Sequence, residues 1–134
     1  MTTTIDAFRR SIVDQRIPLL KKHVAFALWN DVTRGNPVDT GRSRAAWNVS
    51  SGSADLSVPA EAPKGGKVPA APPPRIGQIP VGVPVIVSNN VPYITALEKG
   101  HSQQAPNGFV RAALDRLLRR FDGLVRQVKA LGER

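Results

Sequence analysis

Apolar side chains in the first quarter of the chain recur at the three- and four-residue intervals of one helix face. They are Ile5, Phe8, Ile12, Leu20, Val24, Ala27, Leu28 and Val32. Pro18 interrupts the run, because a proline removes a backbone donor and clashes with the preceding turn. The pattern predicts a helical segment over residues 5–34, either kinked at Pro18 or divided into two helices, the second beginning near Pro18. Gly35 is expected to end it as a C-terminal cap, and Pro37 prevents its continuation.

The last quarter of the chain has the most regular pattern. Its apolar positions alternate in steps of four and three: Val110, Leu114, Leu117, Phe121, Leu124, Val128 and Leu131. Such a heptad seam predicts an amphipathic helix that packs along its length against another helix, in the same chain or in a second copy. The opposite face carries Arg116, Arg119, Arg120, Arg126 and Lys129. A solvated basic face is the ordinary explanation for these five residues.

The middle of the chain has shorter, strand-like patterns. Apolar positions between residues 47 and 58 predict a strand or hairpin with a turn at residues 51–53. Alternating valines predict a strand over residues 81–87, at a sheet edge because Pro84 cannot donate to a ladder. A turn over residues 88–90 follows, and then a short helical segment that Gly100 ends.

Between residues 59 and 80 the chain has seven prolines and three glycines. Such a stretch cannot supply a ladder of backbone donors, and a loop of this length is usually functional or disordered. It is either a mobile insertion or an arm that becomes ordered against a neighbouring subunit, with Pro72, Pro73, Pro74 and Arg75 at its centre. The whole pattern predicts an α+β fold in one domain over residues 1–134. It comprises a long N-terminal helical segment, a small antiparallel sheet with this Pro-rich loop, and a C-terminal amphipathic helix.

The composition limits the class of protein further. The chain of 134 residues has no cysteine, which excludes disulfides and thiolate metal sites. It has neither a signal-peptide pattern nor an apolar run of the ~18 residues that a membrane span needs, so we expect a soluble protein made in the cytosol. Its net charge is +9. That charge is compatible with nucleic acid, an anionic membrane, an acidic protein surface or simple solubility.

One tripeptide, Asp39-Thr40-Gly41, suggests chemistry, because retroviral-type aspartic proteases carry it and pair one aspartate from each subunit. Here it follows some thirty residues of helical pattern. The neighbouring Arg42 and Arg44 would also hold the carboxylates ionised. We therefore interpret the tripeptide as a capped turn that restarts a short helix over about residues 40–46. With two isolated histidines, no ordered nucleophile and no phosphate loop, we expect no catalytic, cofactor or metal site.

Three segments in order carry a resemblance to a known family. They are residues 37–47 (PVDTGRSRAAW), residues 91–102 (VPYITALEKGHS) and residues 105–114 (APNGFVRAAL). Together they resemble the small tail-component family of long-tailed bacteriophages, whose members are neck or tail-completion proteins related to minor tail protein Z of phage lambda. The resemblance covers nearly the whole chain except the Pro-rich segment.

The resemblance implies a structural, non-catalytic protein of the virion neck or tail, made in the host cytoplasm. It would join head and tail by assembling in or next to a ring at the head–tail junction. Its partners would be its own copies, in a homo-oligomeric ring, and neighbouring neck, tail-terminator or tail-tube proteins, with no membrane partner. The basic surface would suit non-specific contact with DNA in the channel. The alternative, from another class, is a basic DNA-binding accessory protein.

The same resemblance suggests roles for individual residues. Asp39 and Thr40 would cap the short helix, while Gly41 and Gly100 would permit tight turns. Trp47 and Tyr93 would pack the sheet against the helices, and Phe109 would begin the last helix. The candidates for charged contacts in assembly are Arg42, Arg44, Glu98 and Arg111.

Overall fold

The computed structural model describes residues 4–10, 15–37, 42–59, 79, 82–100 and 103–132. The elements, in chain order, are α1 (Thr4–Arg9), α2 (Ile17–Gly35), α3 (Arg42–Ala45), β1 (Asn48–Ser51), β2 (Val85–Ser88), α4 (Ile94–Glu98) and α5 (Val110–Gly132). The two strands form one antiparallel sheet. The predicted α+β class, with helices at both ends and a small antiparallel sheet, is confirmed.

Of the described residues in the N-terminal helical segment, Thr4–Arg9 form α1 and Ile17–Gly35 form α2, and Pro18 lies in the first turn of α2. A proline is tolerated there because the first helical N–H groups have no partner within the helix. The predicted start of a second helix near Pro18 is therefore confirmed.

Helix α2 ends at Gly35, as predicted, but the glycine is not its cap. Gly35 is its last residue and does not have the positive φ of a glycine cap. The capping position is taken by Asn36, in extended conformation (φ −64°, ψ 122°), whose N–H donates to the Val32 carbonyl. The glycine is used for close packing instead: a Cβ at Gly35 would lie 3.3 Å from Cβ of Phe109.

The sheet pairs β1 with β2, in the register Asn48 to Ser88 and Val49 to Val87. Of the two predicted alternatives, a strand or a hairpin, the strand forms and the hairpin does not. Gly52 turns the chain after β1 with φ +87°, but residues 54–59 form no strand, and the partner of β1 comes more than thirty residues later. The second strand begins only at Val85, directly after Pro84, so the proline lies outside the ladder.

The C-terminal helix packs against α2, as the heptad pattern predicts, and Leu117 and Val128 of the predicted seam are buried. Ala113, beside the seam, is also buried, whereas Leu114 and Phe121 of the seam are 43% and 40% exposed. On its polar side, Arg116 and Arg120 reach the carboxylate of Asp31 on α2, at 3.9 and 3.0 Å. These two arginines therefore tie the helices together and are not purely a solvated face.

The core lies where α2, the sheet and the start of α5 meet. Its buried members are Ala25, Trp29, Val32, Trp47, Val49, Ala105, Phe109 and Ala113. Half-buried apolar residues of β2, α4 and α5 pack around them. Nearly all of the Pro-rich loop predicted at residues 59–80, with Pro72, Pro73, Pro74 and Arg75, lies outside the described residues. At its two ends, Pro59 accepts a hydrogen bond from Arg42 and Ile79 is buried.

Candidate assembly site

Asn36 is completely buried and uses both its backbone and its side chain in hydrogen bonds. Its amide Nδ2 donates to the Pro37 carbonyl (2.8 Å) and to Ser43 Oγ (2.7 Å). Its Oδ1 accepts from the indole N–H of Trp47 at 2.9 Å. A buried amide is stable only when its donors and acceptors are paired, and here they are. Asn36 thus fixes the end of α2, the short helix α3 and the start of β1 relative to one another.

The guanidinium of Arg44 binds the C-terminal end of α2. It donates to the Asn36 carbonyl from Nε (3.3 Å) and Nη2 (3.0 Å), and to the Arg34 carbonyl from Nη2 (3.1 Å). The last carbonyls of a helix lack intrahelical partners and carry the negative end of its dipole, so a cation there is favourable. We call the group Asn36, Ser43, Arg44 and Trp47 the Asn36 junction.

Two tryptophans connect the Asn36 junction to the core. The indole of Trp29 donates to the Trp47 carbonyl at 3.2 Å. The ring of Trp47 meets Phe109 edge to face, with centroids 6.2 Å apart and planes at 88°. This geometry is one that aromatic pairs prefer, and each indole N–H has the partner that burial requires. Residues 37–47 and residues 105–114, two of the three segments that carry the family resemblance, are therefore in direct contact.

Asn89, which follows β2, links the sheet to the Asn36 junction. Its Nδ2 donates to the Ser43 carbonyl at 2.8 Å, and its Oδ1 accepts from the Val91 N–H at 3.0 Å. The second bond is an Asx turn, which bends the chain from β2 towards α4.

The carboxylate of Glu98 caps the start of α5. Its Oε1 accepts from the Phe109 N–H at 3.0 Å and its Oε2 from the Val110 N–H at 2.7 Å. Both donors lie at a helix N-terminus, where N–H groups are unpaired and the dipole favours negative charge. We call this arrangement the Glu98 cap; it joins the second segment of the resemblance to the third.

Replacing Glu98 with alanine is expected to lower the free energy of unfolding by about 2 kcal/mol, because two half-buried N–H groups lose their acceptor. Urea denaturation followed by circular dichroism measures the loss. Glu98→Gln keeps the size of the side chain but loses the charge, so it should fall between wild type and Glu98→Ala. An alanine variant as stable as wild type would show that the cap contributes nothing.

Two glycines make this cap sterically possible. Gly100 and Gly108 have φ of +89° and +83°. A Cβ at Gly100 would overlap the Pro106 carbonyl, and one at Gly108 would overlap the Glu98 side chain and carbonyl oxygen. The prediction that Gly100 permits a tight turn is confirmed, whereas the need for Gly108 was not foreseen.

The other predicted site residues occupy varied positions. Arg42 lies in α3, where its Nε donates to the Pro59 carbonyl at 3.1 Å, and Arg111 is exposed on α5. Tyr93 is 40% exposed and lies outside the core, so its predicted packing role is wrong. Ile94 and Leu97 are the α4 side chains that pack on the core, and Tyr93 precedes that face. Asp39, Thr40 and Gly41 lie outside the described residues.

Arg44 and Glu98 were expected to make charged contacts in assembly, but both bind backbone groups of their own chain. Three further residues were not among the predicted site residues: Asn36, Trp29 and Asn89. Asn36 follows a helix and precedes a proline, which is a position typical of a capping residue, and this was the available signal. Asn89 stands in a predicted turn, where asparagine is a common residue.

Among the described residues, no group of three or more histidine, aspartate or glutamate side chains could hold a metal ion. In the Asn36 junction, the side chains of Asn36, Ser43 and Trp47 bond to one another, whereas Arg44 and Glu98 bind backbone groups. Within the same ranges, no helix is long and apolar enough to cross a membrane.

Comparison of the chain with protein-family models, curated proteins and solved structures gave no match.

Proposed function

We propose that this protein is a structural component of a bacteriophage neck or tail-completion complex, without catalytic activity. It would join head and tail by assembling, as copies of itself and with neighbouring neck or tail proteins, in or next to a ring at the head–tail junction. The supporting observation is that the three sequence segments behind the resemblance meet in one buried place, through the Trp47–Phe109 ring contact and the Glu98 cap.

The chemistry of these residues supports a structural role. The side chains of Asn36, Arg44 and Glu98 form hydrogen bonds at the ends of helices, and the rings of Trp47 and Phe109 pack in the core. A site for catalysis would instead keep polar groups convergent on open space. These residues therefore stabilise the fold, and the outer surfaces whose positions they fix remain available to partner proteins.

Deleting the coding sequence from the phage or prophage genome that carries it tests this proposal. Filled heads and separate tails are expected to accumulate, and infectious particles to be lost, as counted by plaque titre and negative-stain electron microscopy. Expression of the wild-type chain in trans should restore joined particles. Normal yields of joined, infectious virions without the protein would overturn the proposal.

A second candidate function, DNA binding, is favoured by the basic side of α5. Arg119, Arg120 and Arg126 line a shallow depression of about 430 Å³ on that helix. Fluorescence anisotropy with a duplex of about 30 base pairs, at several salt concentrations, separates the two functions. Submicromolar affinity that falls steeply with salt, and that Arg119→Gln with Arg126→Gln weakens more than Arg34→Gln, would favour DNA binding as the main role.

A further inference from the structure

The face of α5 that α2 leaves uncovered carries an apolar stripe. Leu114, Leu118, Phe121 and Val125 are 43%, 71%, 40% and 37% exposed. Their spacing of four, three and four residues places them on one side of the helix, next to the buried Ala113, Leu117 and Val128. We call these four residues the α5 stripe. A contiguous exposed apolar surface of this kind usually marks an interaction site.

The stripe continues into an open apolar cleft. The cleft has a volume of about 420 Å³ and lies between α2, β2 and Phe121 of the stripe. Its lining is apolar except for one lysine: Ile17, Leu20, Lys21, Val24, Ala25, Leu28, Val85, Val87 and Phe121. A groove floored by one helix and bordered by the side of another has the form in which amphipathic helices bind, with side chains at i, i+3, i+4 and i+7 as anchors.

The cleft wall and helix α5 carry a net positive charge, although the two aspartates of α5, Asp115 and Asp122, lie one turn before and one turn after Leu118. Lys21 lies in the cleft wall with its Nζ donating to the Val83 carbonyl at 2.9 Å, and among the described residues it has no carboxylate partner. The helix α5 carries six arginine or lysine residues against two aspartates, a net charge of +4. Its acidic neighbour Asp31 is already paired with Arg116 and Arg120. The surface therefore combines apolar anchors with uncompensated positive charge.

We propose that the cleft and the α5 stripe together bind an acidic amphipathic helix of a partner protein. The apolar side chains of that helix would fill the cleft and cover Leu118 and Phe121, while its carboxylates would face Lys21 and the basic residues of α5. Opposite charges across an interface select the partner and speed its association. The proposal does not depend on the neck function, because it rests on this surface alone.

Two other occupants fit the surface less well. A second copy bound at this site would place a chain with the same charge of +9 against the basic helix α5, and like charges would oppose association at this surface, whatever other surfaces join the copies in a ring. A membrane surface needs a helix with a broad apolar face free to enter the headgroup region. Here Ala113, Leu117 and Val128 of α5 are already buried in the protein, so only the narrow stripe is exposed.

A pair of synthetic peptides, each about 18 residues long and therefore about 27 Å as a helix, tests the proposal. Both carry leucine at heptad a and d positions, and the remaining positions are mainly glutamate in one and mainly lysine in the other. Fluorescence anisotropy with the full chain is expected to show binding of the acidic peptide at least tenfold tighter than of the basic one, and weaker at high salt. Absence of binding, or equal binding of both peptides, would overturn the proposal.

Single substitutions locate the binding surface. Leu118→Ser and Phe121→Ser should each weaken binding of the acidic peptide about tenfold, as loss of an apolar anchor does. Leu56→Ser is the matched control, because Leu56 is 59% exposed and lies outside the cleft and the stripe. Circular dichroism verifies that each variant is folded, and the strongly exposed Leu118 is the position least coupled to folding. Unchanged affinity of Leu118→Ser would overturn the proposal.

The same variants distinguish the other occupants. Analytical ultracentrifugation of the wild-type chain is expected to show no oligomer that Leu118→Ser dissociates, and vesicles containing anionic lipid should bind the wild type and Leu118→Ser equally. An oligomer that depends on Leu118 would identify a second copy as the occupant. Vesicle binding that depends on Leu118 would identify a membrane. Either result would overturn the proposal that the surface binds a helix of a partner protein.

Discussion

Replacing Asn36 with alanine is expected to lower the free energy of unfolding by about 3 kcal/mol. The substitution leaves the indole N–H of Trp47 buried without an acceptor, and it removes the donor to Ser43 and to the Pro37 carbonyl. Each buried group that loses its partner retains the full cost of its desolvation. Urea denaturation followed by circular dichroism and by tryptophan fluorescence measures the change.

Asn90→Ala is the control for this prediction. Asn90 also donates one amide hydrogen bond to a carbonyl, that of Leu56 at 3.3 Å, but at an exposed position. Water can replace that bond, so the variant should stay within about 0.5 kcal/mol of wild type. If the two asparagine variants were equally stable, the Asn36 junction would not be a major source of stability.

Replacing Gly100 with alanine is expected to lower the free energy of unfolding by about 3 kcal/mol, and the loss has two separable causes. A side chain at φ +89° is strained, and its Cβ would overlap the backbone carbonyl of Pro106, which cannot move without displacing the loop before α5. Because this loop carries the N–H groups that Glu98 binds, the Glu98 cap should be disturbed as well. Chemical denaturation measures the total loss.

Gly82 separates these two causes, and Gly123 shows the effect of alanine at a glycine without strain or overlap. Gly82 has a similar φ of +81° but no atom within 4 Å of a Cβ, so Gly82→Ala reports the backbone strain alone, about 1 kcal/mol. Gly123 lies within α5, also with open space around it, and Gly123→Ala should stabilise the protein by about 0.5–1 kcal/mol. Equal losses for Gly82→Ala and Gly100→Ala would mean that the overlap at Gly100 is relieved without cost.

The periodic pattern predicted the existence of α5, its packing on another helix and part of the packed face, since Leu117 and Val128 are buried. The apolar arc of α5 is wider than the surface that α2 covers. It includes the half-exposed Leu114 and Phe121 as well as the buried Leu117. A sequence pattern identifies the arc, whereas the part of it that becomes buried depends on the position of the neighbouring helix. Ala113, completely buried, escaped notice because a small side chain contributes little to an apolar pattern although it permits close packing.

Turns and strands were predicted with mixed success for a related reason. Gly100 and Gly52 were both expected at turns, and both have positive φ. The pattern after Trp47 predicted a strand or a hairpin, and only the strand forms, because β1 pairs with a strand distant in the sequence. Local sequence specifies where a chain turns, but it does not specify with which segment a strand pairs.

The candidate site was predicted in part. Arg44, Trp47, Glu98 and Phe109 were all selected from the sequence. In the structure Trp47 and Phe109 meet in the core, Arg44 binds the carbonyl of Asn36 beside Trp47, and Glu98 binds the N–H of Phe109. Their contacts were not foreseen, because the partners of Arg44 and Glu98 are backbone groups that become available only where helices end. Asn36 was missed because a buried amide cannot be distinguished from an exposed one by its sequence alone.

The way in which the sheet is held has a consequence for the chain between the strands. Asn48 donates to the carbonyls of Asp55 and Ser57, and Ser88 Oγ to that of Asp55. These hydrogen bonds attach the start of β1 and the end of β2 to the segment over residues 55–57. The register of the strands therefore does not depend on a tight turn between them. Because the groups that hold this register lie at residues 48, 55, 57 and 88, a change in the length of chain between the strands need not shift their pairing.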